Sequence, residues 1–206
     1  ANSYNVPAVW TADAVGPARV LARLREVGLT SLGEDADFYG AAVALGDGEV
    51  RLLDLANAYA TLARGGVYRP VVAVKAATGK DGRPLALPRG EPRRVLDEAD
   101  AWIITDVLAD RAARIAAVGE CNGLELPFPV EVKTGTSKGF RDNLTVGFTP
   151  DVTVGVWVGN FDGSPMEGVS GVSSAGPLFH DAMVAAARGR PARGFDRPAG
   201  MIDEAE

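Results

Sequence analysis

The sequence is poor in the residues that build metal and redox sites. Cys121 is the only cysteine and His180 the only histidine among 206 residues. One cysteine excludes an intramolecular disulfide framework, and one histidine excludes a metal site with several histidine ligands. We interpret Cys121 as incidental and His180 as a packing or surface residue, although a Ser-His-Asp triad would depend on it. We therefore expect neither a metal nor a cofactor.

Long apolar runs and clusters of positive charge are also missing. No run approaches the ~20 residues of a membrane-spanning helix. The net charge is −6, without a Lys/Arg cluster, which argues against nucleic acid or an anionic membrane surface as a partner. The chain starts at Ala1 without a Met or a signal peptide. We expect one folded domain, or most of one, cut from a longer protein.

What is present is a set of three alternating apolar segments, at 130–140, 144–148 and 152–158. A Thr-Pro-Asp turn at 149–151 separates the last two, because proline presets φ and aspartate bonds back to the backbone. The pattern predicts an antiparallel meander of three strands. Helical spacing predicts helices over 11–28, 49–64, 97–108 and 177–187. The expected fold is therefore α/β, in the α+β sense.

The segments between these elements are predicted to be irregular. Residues 1–9 are expected to form a loop, from which Thr11 or Asp13 would cap the first helix. Residues 80–82 predict a hairpin turn in a small flap, and 90–94 a linker. The last residues, 189–206, are predicted to form a tail with a solvated acidic end.

The first strand of the meander carries the most suggestive residues, Lys133-Thr134-Gly135-Thr136. They offer an amine, two hydroxyls and a bare backbone, a set that suits acyl transfer. A glycine within a strand often marks close approach by a ligand. The alternative is an ordinary strand with a bulge at Gly135, since short motifs match by chance.

A second motif, Ser3-Tyr4-Asn5, lies near the start of the chain. Its spacing can put a hydroxyl and an amide on the same side of an extended turn. Without the strand motif, Ser3 would be interpreted as a loop or helix-capping hydroxyl and Asn5 as a turn residue.

Together the two motifs match the Ser-x-Asn and Lys-Thr-Gly signatures of the penicillin-recognising serine acyltransferases. Residues 3–9, 53–70 and 133–139 resemble the transpeptidase domain of class A penicillin-binding proteins. Residues 140–142, 149–151 and 154–159 look most like the penicillin-binding protein 1C group. The similarity extends from Ser3 to about Val184.

The resemblance implies a penicillin-binding/β-lactamase-like fold, an antiparallel sheet with helices on both faces, and D,D-transpeptidation of peptidoglycan stem peptides. β-Lactams would acylate the same serine in the intact protein. The implied location is the periplasmic side of the inner membrane, with an upstream anchor and glycosyltransferase module. A β-lactam sensor or other non-catalytic binding module is an alternative on the same fold, and the upstream sequence would discriminate it from a synthase. A D,D-carboxypeptidase and a β-lactamase share the fold too, but the helix and flap between the two motifs resemble high-molecular-weight synthases more than either.

The resemblance also implies roles for the two motifs. Ser3 would pass a proton towards the leaving nitrogen, Asn5 would hydrogen-bond the substrate amide, and Lys133 would keep the local field positive and contact Ser3. Thr134 and Thr136 would bind the substrate carboxylate, with the Thr136 N–H as half of the oxyanion hole. Gly135 would leave room for a substrate that lies along the strand as an added β-strand.

The nucleophile motif of the family, Ser-x-x-Lys, is missing from the sequence. The residues three positions before the four lysines are Val72, Ala77, Val130 and Gly135. We therefore expect a partial domain over 1–188, with only the last three strands of the family's five-stranded sheet. This chain alone should not be acylated by penicillin. The missing N-terminal part would belong to the same polypeptide or to a separate chain.

Overall fold

The computed structural model describes residues 2–119 and 122–202. The interpretation of Cys121 and that of the acidic end at 203–206 lie outside the described residues. None of the described helices combines the length and the apolar character that crossing a membrane requires.

Seven α-helices, five strands and three short helical turns follow one another in the described residues. In chain order they are α1 (Asn5–Val15), α2 (Pro17–Glu26), α3 (Ala36–Tyr39), a 3₁₀ turn (Gly40–Leu45), α4 (Leu52–Ala63), β1 (Val67–Tyr68), β2 (Arg93–Arg94), α5 (Glu98–Ala109), α6 (Arg111–Val118), β3 (Glu131–Thr136), a 3₁₀ turn (Lys138–Phe140), β4 (Asp142–Phe148), β5 (Thr153–Gly159), a π-helical turn (Gly171–Ala175) and α7 (Gly176–Ala187).

The predicted meander is confirmed: β3, β4 and β5 form an antiparallel sheet in that order. The sheet has helices on both faces. On one face, a Cβ added at Gly147 would lie 2.5 Å from the Phe179 ring of α7, so only glycine admits this contact. On the other face, a Cβ added at Gly155 would lie 3.2 Å from Leu52 and 3.5 Å from Ala56 of α4, and α5 packs against β3. The fold is therefore mixed helix and sheet, as expected.

Two apolar clusters form the core. One lies between α7 and the sheet, and its buried members are Leu124, Val130, Val132, Phe179 and Met183. The other lies among α2, α3 and the first 3₁₀ turn, and α4 packs against it; its buried members are Leu21, Leu29, Leu32, Tyr39 and Val43. The first cluster supports the strand that carries Lys133, since Val132 is its neighbour and points to the opposite face.

Two of the predicted irregular segments are wrong. Helix α1 begins at Asn5, within the predicted loop, so Thr11 and Asp13 are helix residues and not caps. Gly16, with φ of 96°, ends this helix and separates it from α2, which starts with Pro17. The predicted linker contains β2, which pairs with β1; the Arg93 guanidinium lies 4.7 Å from the centre of the Tyr68 ring.

The segment after α7 contacts the body of the protein. The Phe195 ring lies 5.6 Å from that of Phe148 at an edge-to-face angle. Arg197 lies over Trp102 of α5, and Arg193 pairs with Asp151 at 3.4 Å. These contacts hold residues 193–197 against the α4/α5 side of the sheet. The division into a domain over 1–188 and a tail stays a prediction.

Candidate active site

Strand β3 lies at an edge of the sheet. It pairs with β4 on one side only, and no strand of the described residues lies along its other side. Exposure increases along the strand, from buried Glu131 and Val132 through half-buried Lys133 to exposed Thr136. The second half of β3 therefore offers backbone N–H and C=O groups to an extended ligand.

The structure brings the two sequence motifs together through one contact. The Lys133 amine hydrogen-bonds the Ser3 hydroxyl, and it also donates to the Thr134 carbonyl at 2.6 Å. Burial lowers the pKa of Lys133. Because desolvation disfavours the charged amine, this lysine gives up its proton more readily than a surface lysine does. The pair can pass a proton between a hydroxyl and an amine.

Ser3 reaches Lys133 through an unusual backbone conformation. Its φ is 57°, one of only two positive values among the described non-glycine residues. Tyr4 is extended, and Asn5 is the first residue of α1. A left-handed serine is unfavourable by roughly 1–2 kcal/mol, and such strain is concentrated at functional sites. The strained backbone is thus consistent with a functional role for Ser3. Ser3 is not the cap of α1, because Tyr4 holds that position.

Asn5 lies apart from the Ser3–Lys133 contact. Its side chain makes no hydrogen bond within the described part of the chain. It lines an open groove of about 470 Å³ together with apolar residues of α1, Val6, Val9 and Trp10. The structure therefore joins Ser3 and Lys133, and leaves the amide of Asn5 available to another group.

Thr134 and Thr136 lie on the opposite face of β3 from Lys133, as the alternation of a strand requires. The Thr136 hydroxyl accepts a hydrogen bond from the Gly171 N–H at 3.0 Å. Since the oxygen is the acceptor, the hydroxyl hydrogen stays free for a ligand oxygen. The Thr134 hydroxyl has no partner in the described residues.

Gly135 is in regular register opposite Leu144, so the predicted alternative of a bulge is wrong. A Cβ added there would make ordinary contact with Leu144, at 3.6 Å. The protein's own packing needs a glycine at position 171 instead, where a Cβ would lie 2.6 Å from the Gly135 carbonyl oxygen. The expectation that Gly135 leaves room for a ligand along the strand stays a prediction.

Two buried charged residues behind the site, Glu131 and Arg114, were not foreseen from the sequence. Glu131 is two residues before Lys133, on the same face of β3, and only 3% exposed. Arg114 of α6 is 8% exposed, and donates to the Leu108 carbonyl at 2.9 Å. Burial raises the pKa of Glu131 to about 7, against the opposing attraction of Arg114. The alternation of the strand places Glu131 on the same polar face as Lys133, so the sequence carries no signal of its burial.

The turn after β3 is held by Asp142. Its carboxylate accepts hydrogen bonds from the Ser137 hydroxyl at 3.1 Å and from the Trp157 indole N–H at 2.9 Å. The Ser137 hydroxyl in turn accepts from the Asp142 N–H at 2.8 Å. Gly139 and Phe140, at the tip, both have positive φ. These contacts fix where the end of β3 lies.

Replacing Asp142 by alanine is expected to lower the free energy of unfolding by about 1–3 kcal/mol, because it leaves the Trp157 and Ser137 donors without their acceptor. Urea unfolding of the 206-residue chain, followed by tryptophan fluorescence, measures this. Asp81→Ala in the exposed flap is the matched control, with an expected loss below about 1 kcal/mol. Equal losses for the two variants would contradict the role of Asp142.

Other candidate chemistry is not assembled in the described residues. They contain no group of three or more His, Cys, Asp or Glu side chains that could hold a metal ion. His180 lies on α7 and contacts its neighbour Asp181 at 3.1 Å. The hydroxyl that Lys133 contacts belongs to Ser3, which has no lysine three residues after it.

Comparisons with known proteins agree with these features. Residues 1–184 match the family described as "Penicillin binding protein transpeptidase domain". Penicillin-binding protein 1C of Escherichia coli K12 is 34% identical over 181 residues, covering 86% of this chain and 21% of that protein. Penicillin-binding protein 2D of Bacillus subtilis 168 is 28% identical over 204 residues, covering 97% of this chain and 29% of that protein. The chain thus spans less than a third of these relatives.

Solved structures show the same similarity. PonA1 of Mycobacterium tuberculosis, in complex with penicillin V, superimposes with a TM-score of 0.75 at 25% identity, over 90% of this chain and 54% of that one. Penicillin-binding protein 1A of Haemophilus influenzae gives a TM-score of 0.75 at 20% identity, over 96% of this chain and 35% of that one. The second match supports the fold alone.

Proposed function

This chain belongs to the penicillin-binding protein transpeptidase family, and from that premise we propose that it supplies the substrate-binding wall of a peptidoglycan D,D-transpeptidase. The observation that carries the proposal is the contact between the Lys133 amine and the Ser3 hydroxyl, which joins the two motifs. The attacking serine would be supplied by polypeptide outside these 206 residues. The full gene product would act on the periplasmic side of the inner membrane, anchored and joined to a glycosyltransferase module by segments outside this chain.

The reaction would proceed through an acyl-enzyme. The serine oxygen attacks the carbonyl carbon between the two terminal D-Ala residues of a stem peptide, and the serine proton passes to a base. The C–N bond breaks, the leaving D-Ala nitrogen takes up a proton, and an ester forms. An amine of a neighbouring stem peptide then attacks the ester, which releases the serine and creates the cross-link. β-Lactams would acylate the same serine through opening of their four-membered ring, and the resulting ester would hydrolyse slowly.

Lys133 and Ser3 would carry the proton to the leaving nitrogen. Ser3 donates its hydroxyl proton to that nitrogen and regains one from Lys133, to which it is hydrogen-bonded. The lowered pKa of Lys133, caused by burial, brings this amine closer to the working pH. Its positive charge also favours an anionic substrate.

The second half of β3 would bind the substrate. The hydroxyls of Thr134 and Thr136 face away from Lys133, and each has a hydrogen to donate. They would bind the terminal carboxylate of the peptide at the exposed end of β3, where the twist of an edge strand can turn both faces towards one cleft. The Thr136 N–H would form half of the oxyanion hole. The peptide would lie along the open edge as an added strand, and Asn5 would bond its amide.

Intact-mass measurement with labelled benzylpenicillin tests the proposal. The full gene product is expected to gain one adduct per molecule, on a peptide outside this chain, and to form cross-linked dimers from stem pentapeptides. The 206-residue chain alone is expected to gain none.

A stoichiometric adduct on the isolated chain would contradict the division of the site. If the full gene product gains an adduct but forms no cross-linked product, the function is that of a sensor and not of a transpeptidase. If it only releases free D-Ala, the function is that of a carboxypeptidase.

A further inference from the structure

We propose that the turn between β3 and β4 is a second recognition site, which binds a side-chain carboxylate of the donor peptide beyond the part held at Thr136. We call Lys138, Phe140 and Arg141 the turn subsite. The inference rests on the proposed function and deepens it, because it names the feature of the peptide that this protein would select: an acidic residue, in contrast to an amidated one.

The path of a ligand along β3 leads to this turn. Glu131 and Val132, at the start of the strand, are buried, so a ligand paired with the open edge cannot continue past them. Thr136 and the turn subsite, at the other end, are exposed. Each ligand residue advances by about 3.3 Å along a strand, and one or two residues past Thr136 reach Lys138.

The turn is rigid enough to serve as a binding surface. Asp142 holds Ser137 and Trp157, and the Phe140 N–H donates to the Ser137 carbonyl at 3.1 Å. The Phe140 carbonyl accepts from the Met166 N–H at 3.2 Å, which ties the following loop to the turn. Phe140 has φ of 57° and is 44% exposed. A bulky residue rarely adopts this conformation, and here it presents an aromatic ring to solvent in the same turn as two exposed cations.

Neither cation of the turn subsite, Lys138 or Arg141, forms an ion pair within the described residues, although the chain has a net charge of −6. The nearest acid in sequence, Asp142, is engaged by Ser137 and Trp157. Glu167, next to Met166, pairs with neither cation. An exposed lysine, an exposed arginine and an exposed aromatic ring in one turn suit a carboxylate carried on a short aliphatic side chain.

A matched pair of β-lactams tests the turn subsite. Benzylpenicillin and carbenicillin differ by one carboxylate on the acyl side chain, so the ratio of their second-order acylation rates isolates the recognition of that group. In the full gene product, the double variant Lys138→Gln, Arg141→Gln is expected to lower the carbenicillin-to-benzylpenicillin ratio about 5-fold, the effect of two exposed charge pairs. Lys80→Gln, in the exposed flap, is the control and should leave the ratio unchanged.

The outcomes separate the two proposals. A ratio that the double variant leaves unchanged overturns the turn subsite. An equal fall of the benzylpenicillin and carbenicillin acylation rates also overturns it, because the turn would then only support the structure of the site and would not recognise the carboxylate. Absence of any acylation of the unmodified protein by benzylpenicillin would mean that the proposed function fails, and the turn subsite with it. A fall of the ratio that higher salt reproduces in the unmodified protein supports it.

Discussion

Replacing Lys133 by alanine in the full gene product is expected to lower the rate of acylation by benzylpenicillin by about 10²–10⁴-fold. The substitution removes the amine that contacts the Ser3 hydroxyl, and with it the proton path and the positive charge of the site. Because burial already disfavours this cation, its removal relieves a desolvation cost. The fold should therefore persist, and the loss of rate would reflect chemistry.

Acylation by a fluorescent penicillin, quenched at successive times, measures the acylation rate. Thermal unfolding of the same samples measures stability. Lys75→Ala is the matched control, since Lys75 is an exposed lysine remote in sequence from both motifs, and its rate should stay within about 2-fold of the parent. Lys133→Arg should rescue little, because a planar guanidinium cannot replace a compact proton donor. A Lys133→Ala protein that stays folded and reacts within 3-fold of the parent would refute the role of Lys133.

Replacing Glu131 by glutamine is expected to remove a pH-dependent loss of stability. The pKa of Glu131 is about 7 in the folded chain, against a reference value of 4.5. Between these values the folded chain keeps a proton that the unfolded chain has lost, so the free energy of unfolding falls as the pH rises from about 4.5 to about 7. Below and above that pH range, the contribution of Glu131 to the free energy of unfolding does not change with pH. At 1.36 kcal/mol per pKa unit, the loss amounts to about 3 kcal/mol.

Urea unfolding of the 206-residue chain at several pH values between 4.5 and 8 tests this expectation. The quantity of interest is the difference between the parent and Glu131→Gln, because the titration of all other groups cancels in it. Glu34→Gln, at an exposed position, is the control and should leave the pH dependence unchanged. Parallel curves for the parent and Glu131→Gln would show that Glu131 titrates as a surface carboxylate does.

The sequence by itself determined the features that depend on near neighbours. Alternating apolar residues and the turn at 149–151 specified the meander, because side chains of a strand point alternately to its two faces. Helical spacing specified α4, α5 and α7 to within a few residues at each end. The two short motifs and the longer similar stretches identified the family, as its match over residues 1–184 confirms.

Only the tertiary structure decided the features that depend on residues far apart in the chain. Arg93 and Arg94 form a strand because β1 lies beside them, and no local pattern marks two arginines as a strand. Glu131 is buried on a strand against which α5 packs, and a period of two cannot reveal that packing. Ser3 meets Lys133 because α1 starts early and the backbone at Ser3 is left-handed. Local propensity fixes which way a side chain points, whereas packing decides what it meets.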